Sequence, residues 1–367
     1  MERVRFEASV GVTTAVFLIV SSTTLANVFD MPPGFVNLET VPVGNPGNAA
    51  DMRYNLDQRP EGFGRVDYTY NIGKYEVTAG QYCEFLNKVA ATDTYFLYDE
   101  LMERTRYRAG CGISRSGLSG HYTYSVDAAF SNRPVNCVTY GDACRFANWL
   151  HNGQPTGAQG TGTTESGAYA LDGHGPDDDR TIQRTVGWKW AVTSEDEWYK
   201  AAYHKNDGVT GNYWDFPTSS DTAPGQDMAD VSGNNANLYT APYVYPINYP
   251  TDWFYTTVVG EFQNSDSPYG TFDQGGNVSE LNESIIVEQE PWDWFRGLRG
   301  GSFHRYEGLP YLHAGWRCVF NGVEDEMIGF RVVQVPEPAT MAILALGLGG
   351  LFCHRCRNRH RIRDKRT

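Results

Sequence analysis

The sequence predicts a loop-rich globular fold that is packed by aromatic side chains and contains little regular helix. Three observations support this prediction: long polar stretches without apolar periodicity, three short capped helical patterns, and a content of 23 Tyr, 18 Phe, 9 Trp and 39 Gly in 367 residues. With 41% hydrophobic residues and a net charge of −14, the composition excludes a disordered tail, a coiled coil and a polytopic membrane protein. The length allows one large domain or two average ones.

The first two helical patterns begin at threonines. Thr78 and Gln81 form a capping box, and the apolar residues that follow recur every three or four positions at Tyr82, Phe85, Leu86 and Val89. Thr139 begins the second pattern, with Asp142 at the third helical position, and Gly153 ends it. Both segments read as amphipathic helices that cover a core.

The third helical pattern starts near Thr193 or Ser194. Its first turn, 195–197, is acidic, which suits the helix dipole, and its predicted buried side chains include Trp198 and Ala201. Between the three helices run the polar stretches 91–133, 152–185 and 205–245. The segment Asn152–Arg180 is rich in Gly, Thr and Asp, so it is predicted to be a loop or an insertion.

Residues 1–26 have the three parts of a secretory signal peptide. Arg3 and Arg5 supply the charged region, Val10–Val20 forms an apolar run too short to span a bilayer, and small residues precede the predicted cleavage site. The alternative is a buried N-terminal strand.

The C-terminal segment 336–367 also has three parts. Pro336-Glu337-Pro338 leads into the apolar run Ala339–Phe352, and a tail with seven basic residues follows. This order resembles the PEP-CTERM sorting signal of Gram-negative bacteria. The resemblance implies export to the outer surface or the extracellular matrix, temporary membrane anchoring, and cleavage near Pro336 by an exosortase-type protease. A plain C-terminal anchor is the alternative, and it would leave the location almost unchanged.

The exported part is strongly acidic. Residues 1–26 hold two basic and two acidic residues and residues 339–367 hold seven basic and one acidic, so residues 27–338 keep 21 basic and 41 acidic residues, a net charge of −20. Such a surface repels the nucleic acid backbone, so we expect no nucleic acid partner. It suits surroundings rich in Ca²⁺, because hard cations prefer carboxylate and carbonyl oxygens.

The cysteines do not form a recognisable metal or redox motif in this exported part. It holds five of them, at positions 83, 111, 137, 144 and 318, without a CxxC pair. Cys353 and Cys356 do have that spacing, but they lie in the basic tail, where a metal or redox site is not expected. An odd number leaves at least one free thiol in an oxidising compartment.

Six sequence blocks carry the identity of the middle region. They are Ile72–Thr78, Arg133–Asn136, Ser194–Trp198, Gly270–Glu280, Arg299–Phe303 and Ile328–Val332. In composition and order they resemble the formylglycine-generating enzyme family, also called the sulfatase-modifying factor domain. The resemblance implies a single α+β domain with an irregular C-type-lectin-like fold and low regular secondary structure. It covers residues 61–335, and residues 27–60 are interpreted as an N-terminal extension.

The resemblance implies structural calcium at two sites. The better-matched site maps onto the Asp273 side chain, the Gly276 and Val278 carbonyls, and Glu280. The other maps onto the loop residues Asn237, Leu238 (carbonyl), Asp252 and Phe254 (carbonyl). An aspartate and a glutamate seven residues apart around a glycine turn suit a hard cation on chemical grounds as well.

The resemblance also implies oxidation of a sulfatase cysteine to formylglycine by O₂ and a copper ion held by two cysteines. The two cysteine positions fall at Arg305 and Pro310, and residues 303–317 contain no cysteine. Because soft Cu(I) needs thiolates, we expect no copper centre. His304 and His313 are the alternative metal ligands, although isolated histidines in an aromatic loop are more often packing residues. The family's usual disulfide partner of Cys318 maps near Ala202, which cannot pair.

Arginines and aromatic residues near these blocks have structural interpretations. Arg299, Arg317 and Arg331 are predicted to pair with carboxylates such as Glu195, Glu197 or Glu280. The aromatic sets in 292–295 and 243–255 are predicted to pack in the core, although stacking on sugar rings is the alternative.

Three hypotheses about function follow. The first is a non-catalytic surface or matrix protein that binds polysaccharide or another cell-surface protein. The second is a diverged O₂-dependent oxidase that acts on a protein cysteine. The third is a purely structural matrix component.

Overall fold

The computed structural model describes residues 36–54, 59–104, 110–173, 181–239, 255–287, 294–304, 308–320, 322 and 324–335. Most of these residues lie in turns and irregular segments, and the strands are mostly three or four residues long. The strands are β1 (Thr40–Val43), β2 (Tyr70–Gly73), β3 (Ile113–Ser116), β4 (Thr123–Val126), β5 (Trp190–Val192), β6 (Ser279–Val287), β7 (Trp294–Arg299), β8 (Cys318–Phe320), β9 (Ile328–Phe330) and β10 (Val332–Gln334). The predicted α+β class with sparse regular structure is confirmed.

All three predicted helices are present, and each has the capping box that its sequence predicts. They are α1 (Ala79–Val89) after Thr78, α2 (Tyr140–His151) after Thr139, and α3 (Glu195–Tyr203) after Ser194. In each capping box the hydroxyl accepts a hydrogen bond from the third helical N–H, which satisfies a donor that the helix leaves unpaired. Two 3₁₀ turns, Glu100–Glu103 and Leu309–Leu312, are also present. Among the described residues, no helix has the length and apolar character needed to cross a membrane.

Two four-stranded sheets and one hairpin organise the domain. The first sheet has the order β1-β2-β10-β5, so strands from the two ends of the domain pair with each other. The second has the order β8-β7-β6-β9, with β6 and β9 parallel, and β3 and β4 form the hairpin. Because residues 36–54 supply β1, the N-terminal extension of the sequence analysis packs into the same fold.

The main core lies between α1, α2 and the strands, and aromatic rings fill its centre. The Phe146 ring lies 6.1 Å from that of Tyr82 and 5.5 Å from that of Phe330, and the Phe85 and Trp149 rings are 5.2 Å apart. All five side chains are fully buried. Burying a side chain of this size contributes about 1.5–3 kcal/mol, which holds short strands together where ladder hydrogen bonds are few.

Candidate functional site

An aromatic pocket opens at the surface beside the 3₁₀ turn Leu309–Leu312. Its volume is about 470 Å³, and nearly all of its lining is apolar. The lining residues come from three distant parts of the chain: Tyr54, Phe216, Ala223, Leu309, Pro310, His313, Gly315 and Trp316. A cavity of this size holds a ligand of two or three rings.

His313 lies between two aromatic rings of this pocket. The Tyr54 ring meets it edge to face at 5.1 Å, and the Phe216 ring meets it at 5.3 Å. The Nδ1 atom of His313 accepts a hydrogen bond from the Gly315 N–H at 3.0 Å. In the neutral ring, Nε2 therefore carries the proton, and the histidine is a donor in an otherwise apolar wall.

The loop that bears Trp316 is fixed through its backbone. The Tyr203 hydroxyl donates to the Leu312 carbonyl at 3.0 Å, and the Ala314 N–H donates to the Asp215 carbonyl at 2.8 Å. Arg299 donates from Nη1 to the carbonyls of both Ala314 and Trp316. The Trp316 side chain is nevertheless 42% exposed, so a rigid backbone presents an accessible indole ring.

A buried ion cluster supports this loop from below. The Glu195 carboxylate, 2% exposed, lies 2.8 Å from Arg299, 2.6 Å from Arg317 and 3.1 Å from Arg59. Burial opposes ionisation of Glu195, but the three guanidinium groups outweigh it and lower the pKa of this carboxyl. The predicted pairing of Arg299 and Arg317 is confirmed. The predicted pairing of Arg331 is confirmed with Glu280, at 2.7 Å.

Polar groups lie next to the pocket at Tyr54. The Tyr54 hydroxyl donates to Asp215 Oδ1 at 2.8 Å, and Arg53 Nη1 lies 2.8 Å from the same atom. Burial and the hydrogen bond to Asp215 raise the pKa of Tyr54 to about 12, so the phenol stays neutral at physiological pH. A carboxylate and a guanidinium thus lie beside the phenol of one lining residue.

The positions at which the resemblance places copper ligands carry no thiol. Pro310 lies exposed on the rim of the pocket, and Arg305 lies outside the described residues. Five cysteines lie in the described segments; four are buried and the fifth, Cys318, begins β8. Burial raises the pKa of the Cys83 thiol to about 12 and that of Cys111 to about 11, so neither forms a thiolate readily.

Within the described chain, the histidines suggested as alternative ligands pack against aromatic rings. His313 packs in the pocket as described, and His304 packs edge to face with Phe303 at 6.2 Å. In the segments that the structure describes, no group of three or more His, Cys, Asp or Glu side chains is arranged to hold a metal ion.

Of the four positions of the better-matched calcium site, Gly276, Val278 and Glu280 are buried and Asp273 is half-buried. Asp273 Oδ2 accepts a hydrogen bond from the Gly260 N–H at 2.6 Å, and Val278 is fully buried. Gly276 has a φ of +85°, and its Cα faces the Asn237 carbonyl so closely that a side chain there would collide with it. Glu280, however, accepts from Arg331 and from the Trp198 indole N–H at 2.8 Å.

Two of the four positions of the other calcium site are described. Asn237 is buried; its Nδ2 donates to the Tyr255 carbonyl at 2.9 Å, and its Oδ1 has no hydrogen-bond partner within the described chain. The Leu238 carbonyl accepts from Gln226. Asp252 and Phe254 lie outside the described residues. An unpartnered, buried amide oxygen fits a cation ligand.

Sequence reasoning missed two residues of the pocket, the aspartate beside them and one buried acid. Tyr54, Phe216 and Asp215 carry no motif, because tertiary contacts alone unite them. The buried acid is Glu76, which lies within a recognised block. Its position between Tyr75 and the buried Val77, just before a helix cap, could have predicted a buried carboxylate.

Comparisons with known proteins agree with the sequence blocks. Residues 28–336 match the model of the sulfatase-modifying factor enzyme 1-like domain, and residues 334–357 match the PEP-CTERM protein-sorting motif. No curated protein matches the chain.

Several solved structures resemble the chain. The crystal structure of CarF shares 19% identity, with a TM-score of 0.47 over 83% of this chain and 100% of CarF. Treponema denticola variable protein 1 shares 15% identity, with a TM-score of 0.45 over 83% of this chain and 98% of its own. PvdO from Pseudomonas aeruginosa shares 18% identity, with a TM-score of 0.38 over 82% of this chain and 93% of its own.

Proposed function

The chain belongs to the sulfatase-modifying factor family, and we propose that this member is a binding protein of the cell surface or extracellular matrix that does not form formylglycine. Its sorting motif directs it to export and implies processing by an exosortase. We further propose cleavage near Pro336, with the apolar segment as a temporary anchor. The observation that carries the binding role is the aromatic pocket, because its rim includes Pro310, where the resemblance expects a copper-binding cysteine.

The residues around the pocket disfavour thiol oxidation. A Cu(I) centre of the expected kind needs two adjacent thiolates, and Arg305 and Pro310 stand at those positions. A phenol with a raised pKa, a histidine packed between rings and a proline supply no equivalent pair of soft ligands. The same groups are well suited to binding without chemistry.

A neutral polysaccharide is the proposed ligand. The exposed Trp316 ring and the Tyr54 ring offer apolar surface on which sugar rings stack, and His313 in the lining offers a polar group for hydroxyls. Asp215 and Arg53 lie next to the Tyr54 hydroxyl and add polar groups beside the pocket. The net charge of −20 on residues 27–338 disfavours a polyanionic glycan. An apolar side chain of another surface protein would fill the same pocket without needing those polar groups.

The test is binding of the purified exported chain to a panel of neutral and acidic polysaccharides. We expect binding to a neutral member, and a loss of at least tenfold in affinity for Trp316→Ala. Phe96→Ala is the matched control, because Phe96 is 75% exposed and lies outside the pocket, and it should leave binding unchanged.

The same preparation tests the oxidase hypothesis. Incubation with Cu(I), O₂ and a Cys-x-Pro-x-Arg peptide should yield no aldehyde. Aldehyde formation at an appreciable rate would refute the proposed function, and binding confined to proteins would replace the polysaccharide with a protein partner.

Calcium is proposed as a structural component. When bound, Ca²⁺ would neutralise carboxylates and tie loops together through several oxygen ligands. The buried Asn237 Oδ1, which has no hydrogen-bond partner among the described residues, supports a ligand role for this residue, beside the Leu238 carbonyl. Because a ligand stabilises the state that binds it, Ca²⁺ should raise the melting temperature of the chelated protein, and Asp273→Ala should diminish the rise.

A further inference from the structure

The interior of the aromatic pocket is a poor environment for a bare sugar ring. Nearly all of the pocket lining is apolar, and most of its residues carry no polar side-chain atom: Phe216, Ala223, Leu309, Pro310 and Gly315. In such a cavity, the hydroxyls of a sugar would lose their hydrogen bonds to water without gaining others. We therefore expect an apolar substituent inside the pocket, with the ring that carries it against the exposed Trp316.

The other lining side chains supply two donors and one acceptor. His313 Nδ1 accepts from the Gly315 N–H, so Nε2 carries the proton. This Nε2 has no hydrogen-bond partner among the described residues and is not fully buried, so a ligand can reach it. The indole N–H of Trp316 can only donate. The Tyr54 hydroxyl donates to Asp215, which leaves the Tyr54 oxygen as an acceptor.

On the basis of the proposed polysaccharide binding, we propose that the pocket recognises the N-acetyl group of an amino sugar. The acetyl methyl needs no hydrogen bond and gains from contact with the apolar interior. The amide carbonyl can only accept, which matches the His313 Nε2–H. The amide N–H can only donate, which matches the Tyr54 oxygen or the Asp215 carboxylate beside it.

The same groups distinguish N-acetyl from the related substituents of a neutral or amino sugar. An O-acetyl ester has the methyl and the carbonyl but no N–H, so it leaves the acceptor at Tyr54 unused. A hydroxyl has no methyl to bury. A free amine is a cation that the acidic chain attracts over a distance, but salt screens this attraction and the apolar lining does not accommodate a charge.

The experiment compares β-linked oligosaccharides of equal length that carry an acetamido, acetoxy, hydroxyl or amino group at the same ring carbon. Calorimetry with the purified exported chain at high salt should give an affinity for the acetamido oligomer about tenfold or more above those for the hydroxyl and amino oligomers, with the acetoxy oligomer between them. In saturation-transfer NMR, the acetyl methyl protons should receive more saturation than the protons of the ring.

Two variants test the residues assigned to this group. His313→Asn removes the Nε2 donor but keeps an oxygen that can accept from the Gly315 N–H, and it should weaken binding of the acetamido oligomer about tenfold. Ala223→Leu occupies the pocket from an exposed position, so it should weaken this binding without unfolding the chain. The matched controls are His121→Asn and Ala129→Leu, at exposed positions outside the pocket, and melting temperatures check that all four variants fold.

The results separate this inference from the proposed function on which it rests. If oligosaccharides bind through Trp316 but the hydroxyl or acetoxy oligomer binds as tightly as the acetamido oligomer, the N-acetyl assignment is overturned and the polysaccharide function stands. The assignment is equally overturned if His313→Asn and Ala223→Leu bind the acetamido oligomer as tightly as the unaltered chain. If no polysaccharide or oligosaccharide binds, both proposals fail.

Discussion

Glu195 supports the pocket through three arginines, and replacing it with glutamine tests that support. Glu195→Gln keeps the size of the side chain but leaves three guanidinium groups around a neutral amide. The side chains of Arg299 and Arg317 are 1% and 9% exposed, whereas Arg59 is 21% exposed. Breaking a buried pair costs about 3–5 kcal/mol, and a more exposed pair adds about 1 kcal/mol or less.

We therefore expect Glu195→Gln to lower the free energy of unfolding by roughly 4 kcal/mol, a large part of the 5–15 kcal/mol that is typical of a domain. Guanidinium chloride denaturation followed by tryptophan fluorescence measures this change. Glu61→Gln is the control, because Glu61 also pairs with Arg59 but is 62% exposed, and it should leave the free energy of unfolding nearly unchanged.

The stability difference between the unaltered chain and Glu195→Gln should depend on pH in a known direction. The pKa of Glu195 is lowered in the folded protein, so its stabilisation is fully present above the unfolded value of about 4.3 and is lost as the pH falls through the folded value. The difference between the two proteins should be constant near pH 7 and shrink below about pH 4. A loss under about 1 kcal/mol at pH 7 would refute the argument that this cluster holds the loop of Trp316 in place.

Three further predictions follow from buried groups elsewhere. Burial raises the pKa of Asp142 to about 7, so the stability contributed by its protonated side chain is lost as the pH rises through that value. Between pH 4 and 8, melting curves should show the free energy of unfolding of the unaltered chain falling by up to about 4 kcal/mol relative to that of Asp142→Asn. Gly276→Ala should cost about 3 kcal/mol or more in chemical denaturation, whereas Gly120→Ala, at a similar φ but with open space around it, should cost about 1–2 kcal/mol. Arg145→Met should cost about 3–5 kcal/mol by the same measurement, because it leaves Glu165 buried without its partner, and a cost near zero would contradict this.

Local sequence signals predicted the helices well, because a capping box and an apolar period are contained within a few residues. Thr78, Thr139 and Ser194 each begin the helix that the pattern indicates. Most strands are too short to show an alternating pattern, so their pairing could not be predicted. The joining of β1 to β2 and of β10 to β5 depends on contacts between distant segments.

The candidate site was predicted only where a residue type limits the possible partners. A buried arginine needs a carboxylate, and this requirement predicted that Arg299 and Arg331 form ion pairs. Arg184 was missed as the partner of Glu197, because it lies in the polar stretch 152–185, which predicts no regular element. An aromatic ring can pack against many kinds of side chain, so the contact between Tyr54 and His313 could not be predicted from the sequence.

The structure also explains how a member of this family can change its site without losing its fold. The pocket loop is held at backbone atoms: the carbonyls of Leu312, Ala314 and Trp316 accept hydrogen bonds from Tyr203 and Arg299. Backbone anchors do not depend on which side chains the loop carries. Substitutions at a position such as Pro310 therefore alter what the pocket offers a ligand while the supports beneath it stay in place, so the chemistry of the site and the stability of the scaffold can diverge.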